Sequence, residues 1–441
     1  MSLDAELAAV IEWLYATEPP AAVEKKAREL VLDTLGCVLA ASRRPRLQNL
    51  AEHFAAADPG AVRVPGFGAR LSVASASALF AVAAGWDEAC EGLARAHGRP
   101  GVPVTAACAA LSQVRSSNLH QLLSAFITGY EVGGRLGEAL RIAPGMHVDG
   151  AWPGFGVAAA AVQLSGGNAA DALSAVRVAA CQMPYSLYLP VRVGAQARYT
   201  YLAHSAQLGL LAASAAMTKL SGPEGALDEL RARAFAHAPR GAPLTPPGEW
   251  LIGDAYLKPY GGTRHLHYGV AAALALRPRI ANGLREISRI ELSTYAEALT
   301  YCGIRAPANV IQAQFSLSYG LARALVSGDL APEAYSDDAL REPMVRELEA
   351  KVVLVEDPAL TATLVGTGRR VARLVVECNG KRLEHTIDRI LGDPSLPMTR
   401  AQVLEKFVRY SGRTPEEAVG FVDAPGDRHF GELLGSFAAG A

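Results

Sequence analysis

The sequence predicts a mainly α-helical protein: a large all-helical domain with a smaller α+β lid domain. Three observations carry that expectation. From the start of the chain to about residue 257, apolar positions in an Ala/Leu-rich sequence recur at helical spacing. Beyond Leu257 the period shifts to two, first over Glu286–Ser293. Two further alternating runs, 370–377 and 382–388, flank Asn379-Gly380, a dipeptide that strongly favours a two-residue hairpin.

Taken in order, Leu7–Ala41 reads as two helices broken at Pro19-Pro20. Arg43-Arg44-Pro45-Arg46 reads as a solvated basic turn. Ser72–Trp86, rich in Ala, Ser and Val, is a helix suited to close packing. A loop of Gly, Pro, Arg and His follows over Gly92–Pro103, then helices over 105–112 and 119–139. A second Gly/Pro loop, Pro144–Gly156, leads into an Ala-rich helix over Val157–Leu164. Helices are expected over 169–183 and 201–221, with Gly222-Pro223 as the stop. Past the shift in period, 351–356 reads as a strand, and 310–326, 337–350, 399–410 and 415–422 as helices. The helical domain is therefore residues 1–257, completed by 396–441, and the lid is 258–395.

A chain of 441 residues is long for one core, which favours two domains. Its net charge of −1 offers no electrostatic footprint for nucleic acid or an anionic membrane. No window reaches the ~20 apolar residues of a membrane span. The N-terminus is acidic and lacks the basic start of a secretory signal. Six cysteines lie far apart, with no C-x-x-C pair and no metal spacing, as expected of buried free thiols in a cytoplasmic protein.

The densest chemistry lies in Leu257-Lys258-Pro259-Tyr260-Gly261-Gly262-Thr263-Arg264-His265-Leu266-His267, at the junction of the two patterns. Two cations beside a Gly-Gly turn, where a cleft would form, suit an anionic substrate. His147 lies in the Gly/Pro loop ahead of a helix start, where backbone N–H groups can face an anion, and its side chain is the one best suited to move protons near neutral pH. His97 and Arg99 occupy the other such loop, after Asp87 and Glu88. His265 and His267 would share one face if that segment were a strand, yet no third metal ligand is near in sequence. Gly154-Phe155-Gly156-Val157-Ala158-Ala159 matches a dinucleotide-binding pattern but follows a Pro-rich loop instead of a strand. Close helix packing is the better reading of it.

These stretches, in this order, resemble the MmgE/PrpD family, which contains 2-methylcitrate dehydratases, cis-aconitate decarboxylases and an iminodisuccinate epimerase. The resemblance runs through Val31–Cys37, Gly129–Val132, the loop Gly145–Gly150, Leu257–Tyr260 with Arg264 and His267, and Ala313–Tyr319. It implies a helical domain with an α+β lid, a homodimer, and a site between the domains that uses no cofactor or metal and takes a small di- or tricarboxylate. By position, His147 and Lys258 are the expected catalytic pair. Arg264, His267 and Tyr319 fall at or near the family's site. Three departures stand out. The family's D-x-D-D-T reads Gly85-Trp86-Asp87-Glu88-Ala89 here. Its H-P-S/G loop reads Arg99-Pro100-Gly101, with His97 two residues earlier. Its K-x-L-H reads Tyr201-Leu202-Ala203-His204. These changes set the chain apart from a plain 2-methylcitrate dehydratase.

The family's reactions remove a proton next to a carboxylate and need fixed cations around the developing charge. Lys258, Arg264 and Arg99 are expected to serve, with Asp87, His204, Tyr319 and His267 at the substrate. His147 is the expected acid or base, with His97 or Tyr201 as its counterpart. A nearby cation would lower the Tyr201 pKa and fit it for that task. The leading expectation is a hydro-lyase. A dicarboxylate epimerase and a non-catalytic carboxylate binder are the alternatives.

Overall fold

The computed structural model describes residues 2–235, 241–280 and 283–437. The first core is helical. Helices Leu3–Ala16 and Ala21–Ser42 lie on either side of Pro19-Pro20, as the prolines dictate. Ser72 caps Val73–Gly85 by accepting from the Ser75 amide, and Asn118 with Gln121 forms a capping box at the start of Leu119–Ala139. Arg43-Arg44 is the expected turn, and Arg43 and Arg46 are exposed, but Pro45 opens a helix to Ala57, Arg44 pairs with Asp87, and Arg43 donates to the Tyr410 and Ser411 carbonyls. Two of the three arginines are thus tied to other parts of the protein, which their charge alone did not reveal.

Gly154-Phe155-Gly156 lies at the start of helix Pro153–Leu164, where it crosses Leu119–Ala139. A Cβ on Gly156 would lie 2.3 Å from the Gly129 carbonyl oxygen, and one on Gly129 would lie 2.7 Å from that of Gly156. The glycine pattern therefore serves close helix packing.

The second core surrounds a four-stranded sheet. Its order is Lys381–Ile387, Ala372–Cys378, Ile287–Thr294, Val352–Glu356; the first two pairings are antiparallel and the last parallel. Asn379 and Gly380 close the hairpin with φ of 53° and 68°, the left-handed pair a tight turn needs. Helices Arg264–Ile280 and Leu317–Ser327 pack with the sheet around Leu266, Val270, Leu292 and Leu321. The expected helices 310–326 and 337–350 are each interrupted, at Phe315-Ser316 and at Glu342-Pro343. Short two-residue strand pairings within the helical part left no period to read.

The chain joins the two cores twice, and the joints touch. The Leu257 amide donates to the Gly392 carbonyl at 3.0 Å. Gly392 has φ +95°, and a Cβ there would lie 1.9 Å from the Leu257 carbonyl oxygen. After the second joint, Arg400–Ser411 packs on Ala21–Ser42 and adds Val403, Phe407 and Tyr410 to the first core. Its Lys406 is buried, ion-paired with Asp33, and donates to the Ala89 carbonyl at 2.7 Å. Lys406→Ala leaves the Asp33 carboxylate buried without its partner. Urea unfolding should show a loss of about 3–5 kcal/mol; a loss below about 1 kcal/mol would show that the pair contributes little.

No described helix is long and apolar enough to cross a membrane. All six cysteines are free; Cys181 is exposed, contrary to the expectation that all are buried.

Candidate active site

Two short strand pairings set the site. Gly92–Leu93 pairs antiparallel with Ala255–Tyr256, which lays the Asp87–Arg99 loop beside Lys258. Met146–His147 pairs with Ser186–Leu187, which seats the His147 ring against Tyr188 and Tyr201, with ring centres at 6.0 and 5.5 Å. Glu88 and His97 both hold left-handed backbone, φ 53° and 56°. Such strain in non-glycine residues is kept where surrounding contacts over-determine it.

Between the cores lies a cavity of about 460 Å³. Its wall carries six cations, Arg99, Arg141, Arg198, Lys258, Arg264 and Arg370, against three carboxylates, Glu88, Asp149 and Glu297. His97, His147 and His265 also reach it. That excess of positive charge in a partly desolvated space selects anions.

At the deep end five charged side chains are almost wholly buried: Glu88, Arg99, Asp149, Arg198 and Lys258. Glu88 meets three cations. It contacts Arg198, lies 3.1 Å from Arg99, and its second oxygen lies 3.2 Å from Lys258 Nζ. Lys258 Nζ also donates to the Glu88 carbonyl at 2.8 Å. Asp149 binds Arg99 through both carboxylate oxygens. Burial alone would raise the Asp149 carboxyl, but Arg99 and His147 outweigh it and hold the pKa below the ordinary range. Burial pushes Lys258 down to about 8, with Arg99 and Arg198 adding to the shift. Burial likewise lowers His147, partly opposed by Asp149. The Asp149 amide donates to His147 Nδ1 at 3.2 Å, so the neutral ring carries its proton on Nε2.

Of the residues singled out from sequence, His147, Lys258, His97, Arg99 and Arg264 line this cavity. Arg264 is held by Asp393 at 2.8 Å and stacks 4.5 Å over Tyr256. His97 lies on the exposed rim, its pKa pushed down to about 4 by desolvation and by Arg141, Arg370 and Arg264.

The other five do not line the cavity. Asp87 is buried beside Arg44, at 3.2 Å, and desolvation raises its pKa to about 6. Tyr319 is buried with its hydroxyl on the Ala334 carbonyl. His204 lies on an exposed helix face. Residues 264–280 form a helix, so His265 and His267 point to different sides, and the shared-face metal geometry of a strand does not arise. His265 reaches the cavity, while His267 is buried near Tyr260 with its pKa pushed down to about 3 by desolvation and Lys258. Tyr201 packs behind His147 and donates to the Leu187 carbonyl at 2.8 Å. Burial raises its pKa, outweighing Arg198, so the expected lowering is absent. Among the described residues no group of three or more His, Cys, Asp or Glu is placed to hold a metal ion.

Sequence reasoning missed Glu88, Asp149 and Arg198 in the deep cluster. The two acids each lie one or two residues from a chosen one, and that adjacency was the available signal. Arg198 and Arg370 had none.

Two profile matches bear on this arrangement. The MmgE/PrpD N-terminal domain matches residues 5–238, and the MmgE/PrpD C-terminal domain matches residues 260–419. The chain belongs to the MmgE/PrpD family. MmgE/PrpD proteins include dehydratases and other lyases and act on small carboxylates, which supports an enzyme of that general kind. No curated protein matches the chain. The cationic wall is in keeping with the MmgE/PrpD carboxylate chemistry.

Proposed function

We propose that this protein is a cofactor-independent hydro-lyase that removes water from, or adds it to, a small di- or tricarboxylate. One observation carries the reading: His147 and Lys258 share the wall of a cavity in which six cations face three carboxylates. Abstraction of a proton next to a carboxylate builds a dianion, and fixed guanidinium groups lower its energy without reorganising.

Lys258, with a pKa of about 8, has both its base and its acid form within reach near neutral pH. As the amine it can donate to the Glu88 carbonyl and still direct its lone pair at the substrate. It takes the proton from the α-carbon. His147 offers Nε2–H to the departing hydroxyl, because Nδ1 is occupied by the Asp149 amide. That hydroxyl leaves as water with the His147 proton, and the proton on Lys258 then passes to the deprotonated His147 Nε2, so the site ends as it began. Arg99 and Arg198, fixed by Glu88 and Asp149, hold the reacting carboxylate. The neighbouring Tyr201 hydroxyl is spent on a backbone carbonyl and its pKa is raised, which weighs against an epimerase using it as a second proton carrier.

A panel of di- and tricarboxylates, with and without hydroxyl groups, followed by NMR in deuterated water tests this. Loss or gain of water, with deuterium entering the carbon next to a carboxylate, is the expected result. Deuterium exchange with inversion and no elimination would point to the epimerase instead. No turnover and no exchange across the panel would overturn the proposal.

A further inference from the structure

The rim of the cavity carries charges that the chemistry at Lys258 and His147 does not use. Arg141 follows helix Leu119–Ala139 of the first core, and Arg370 precedes strand Ala372–Cys378 of the second. Both line the cavity, and both act on His97. Two acids act on this pair: Glu138, itself ion-paired with Arg95 at 2.6 Å, acts on Arg141, and Glu297, on helix Ala296–Cys302, lies 3.9 Å from Arg370 and also acts on Arg141. Arg264, the remaining rim cation, is already neutralised by Asp393.

The polar accounting of Arg141 is incomplete. Its Nη2 donates to the Arg95 carbonyl at 2.8 Å. Its Nη1 is buried with no hydrogen-bond partner among the described residues. A buried guanidinium donor left unpaired is costly. With Glu138 taken up by Arg95, Glu297 is the carboxylate left to the two guanidinium groups, and a further carboxylate accepting from Arg is the strong, directional way to satisfy the unpaired donor. His97 and His265 also line this end as neutral rings, their pKa values lowered by desolvation and, for His97, by Arg141 and Arg370, for His265 by Arg370. They add N–H donors without adding charge.

We propose that Arg141 and Arg370 form a second carboxylate subsite at the cavity rim, which binds the end of the substrate remote from Lys258. This rests on the polycarboxylate reading of the cavity and adds the placement: one carboxylate lies among Arg99 and Arg198, the other between Arg141 and Arg370. The ligand therefore has to reach from the Arg99–Arg198 pair to the rim, and an acid with only one carboxylate cannot engage both places. They are specificity residues and take no proton.

Calorimetry with succinate, glutarate, adipate and their monomethyl esters tests this on the full-length protein, Arg141→Gln and Arg370→Gln. At least one diacid should bind the wild type about tenfold or more tightly than its monoester. Each variant should lose that preference while binding the monoester as the wild type does. A fold defect would instead weaken both ligands alike, and circular dichroism melting would show it. Equal binding of diacid and monoester by the wild type, a preference that survives both substitutions, or no binding of any diacid overturns the subsite. A diacid preference that depends on Arg141 and Arg370, with no turnover in the NMR panel, would keep the subsite and defeat the lyase.

Discussion

Lys258→Met is expected to lower kcat by about three orders of magnitude, within the range that a positioned general base contributes. Methionine fills nearly the same volume, and Glu88, unlike Asp33 in Lys406→Ala, keeps two cationic partners in Arg99 and Arg198, so thermal unfolding should change little. The pH profile is the sharper measurement. A base must be unprotonated, so kcat/KM of the wild type should rise with pH through about 8, the value to which burial and the neighbouring arginines bring Lys258. In Lys258→Met the residual rate should lose that ascending limb. If Lys258 acted only as a fixed cation, the wild-type rate would fall over the same window. A descending limb near pH 8 would remove Lys258 from the role of base while leaving the cavity as an anion site.

His147→Ala should cost about two to three orders of magnitude in kcat, with KM changed only a few-fold. The ring packs between Tyr188 and Tyr201 at the cavity wall, so its removal leaves a hole beside the reacting atoms. Imidazole added to the buffer should partly restore turnover of His147→Ala and have no effect on Lys258→Met. Near-wild-type turnover in His147→Ala would exclude the ring as the donor to the leaving group. A matched rise in KM at unchanged kcat would reassign it to holding the substrate.

Much of the fold was legible because helices and hairpins write themselves locally. Pro19-Pro20 and the Asn379-Gly380 turn each act within a few residues, and each is where the sequence predicts it; the caps at Ser72 and Asn118 act just as locally. The helix Pro45–Ala57 was hidden because Arg43–Arg46 carries charges that are compensated only by distant groups, Asp87 and the carbonyls near residue 410. The same limit governs the site. Lys258, His147 and Arg99 announce themselves by lying in Gly/Pro loops. Glu88 gains its meaning only when residues 99, 198 and 258 converge on it. Tyr319 and His267 lie in recognisable motifs, yet their side chains are spent on packing and backbone carbonyls, which spacing along the chain cannot show.

The joined crossings at Leu257 and Gly392 have a mechanical meaning. The two cores are tethered at one place, one residue away from Lys258. Further ties cross beside it: Lys258 on the Glu88 carbonyl, the Gly262 amide on the Asp87 carbonyl at 3.1 Å and Gln314 Nε2 on the Trp86 carbonyl at 2.8 Å. The catalytic end is thereby held in alignment by covalent and hydrogen-bonded links together.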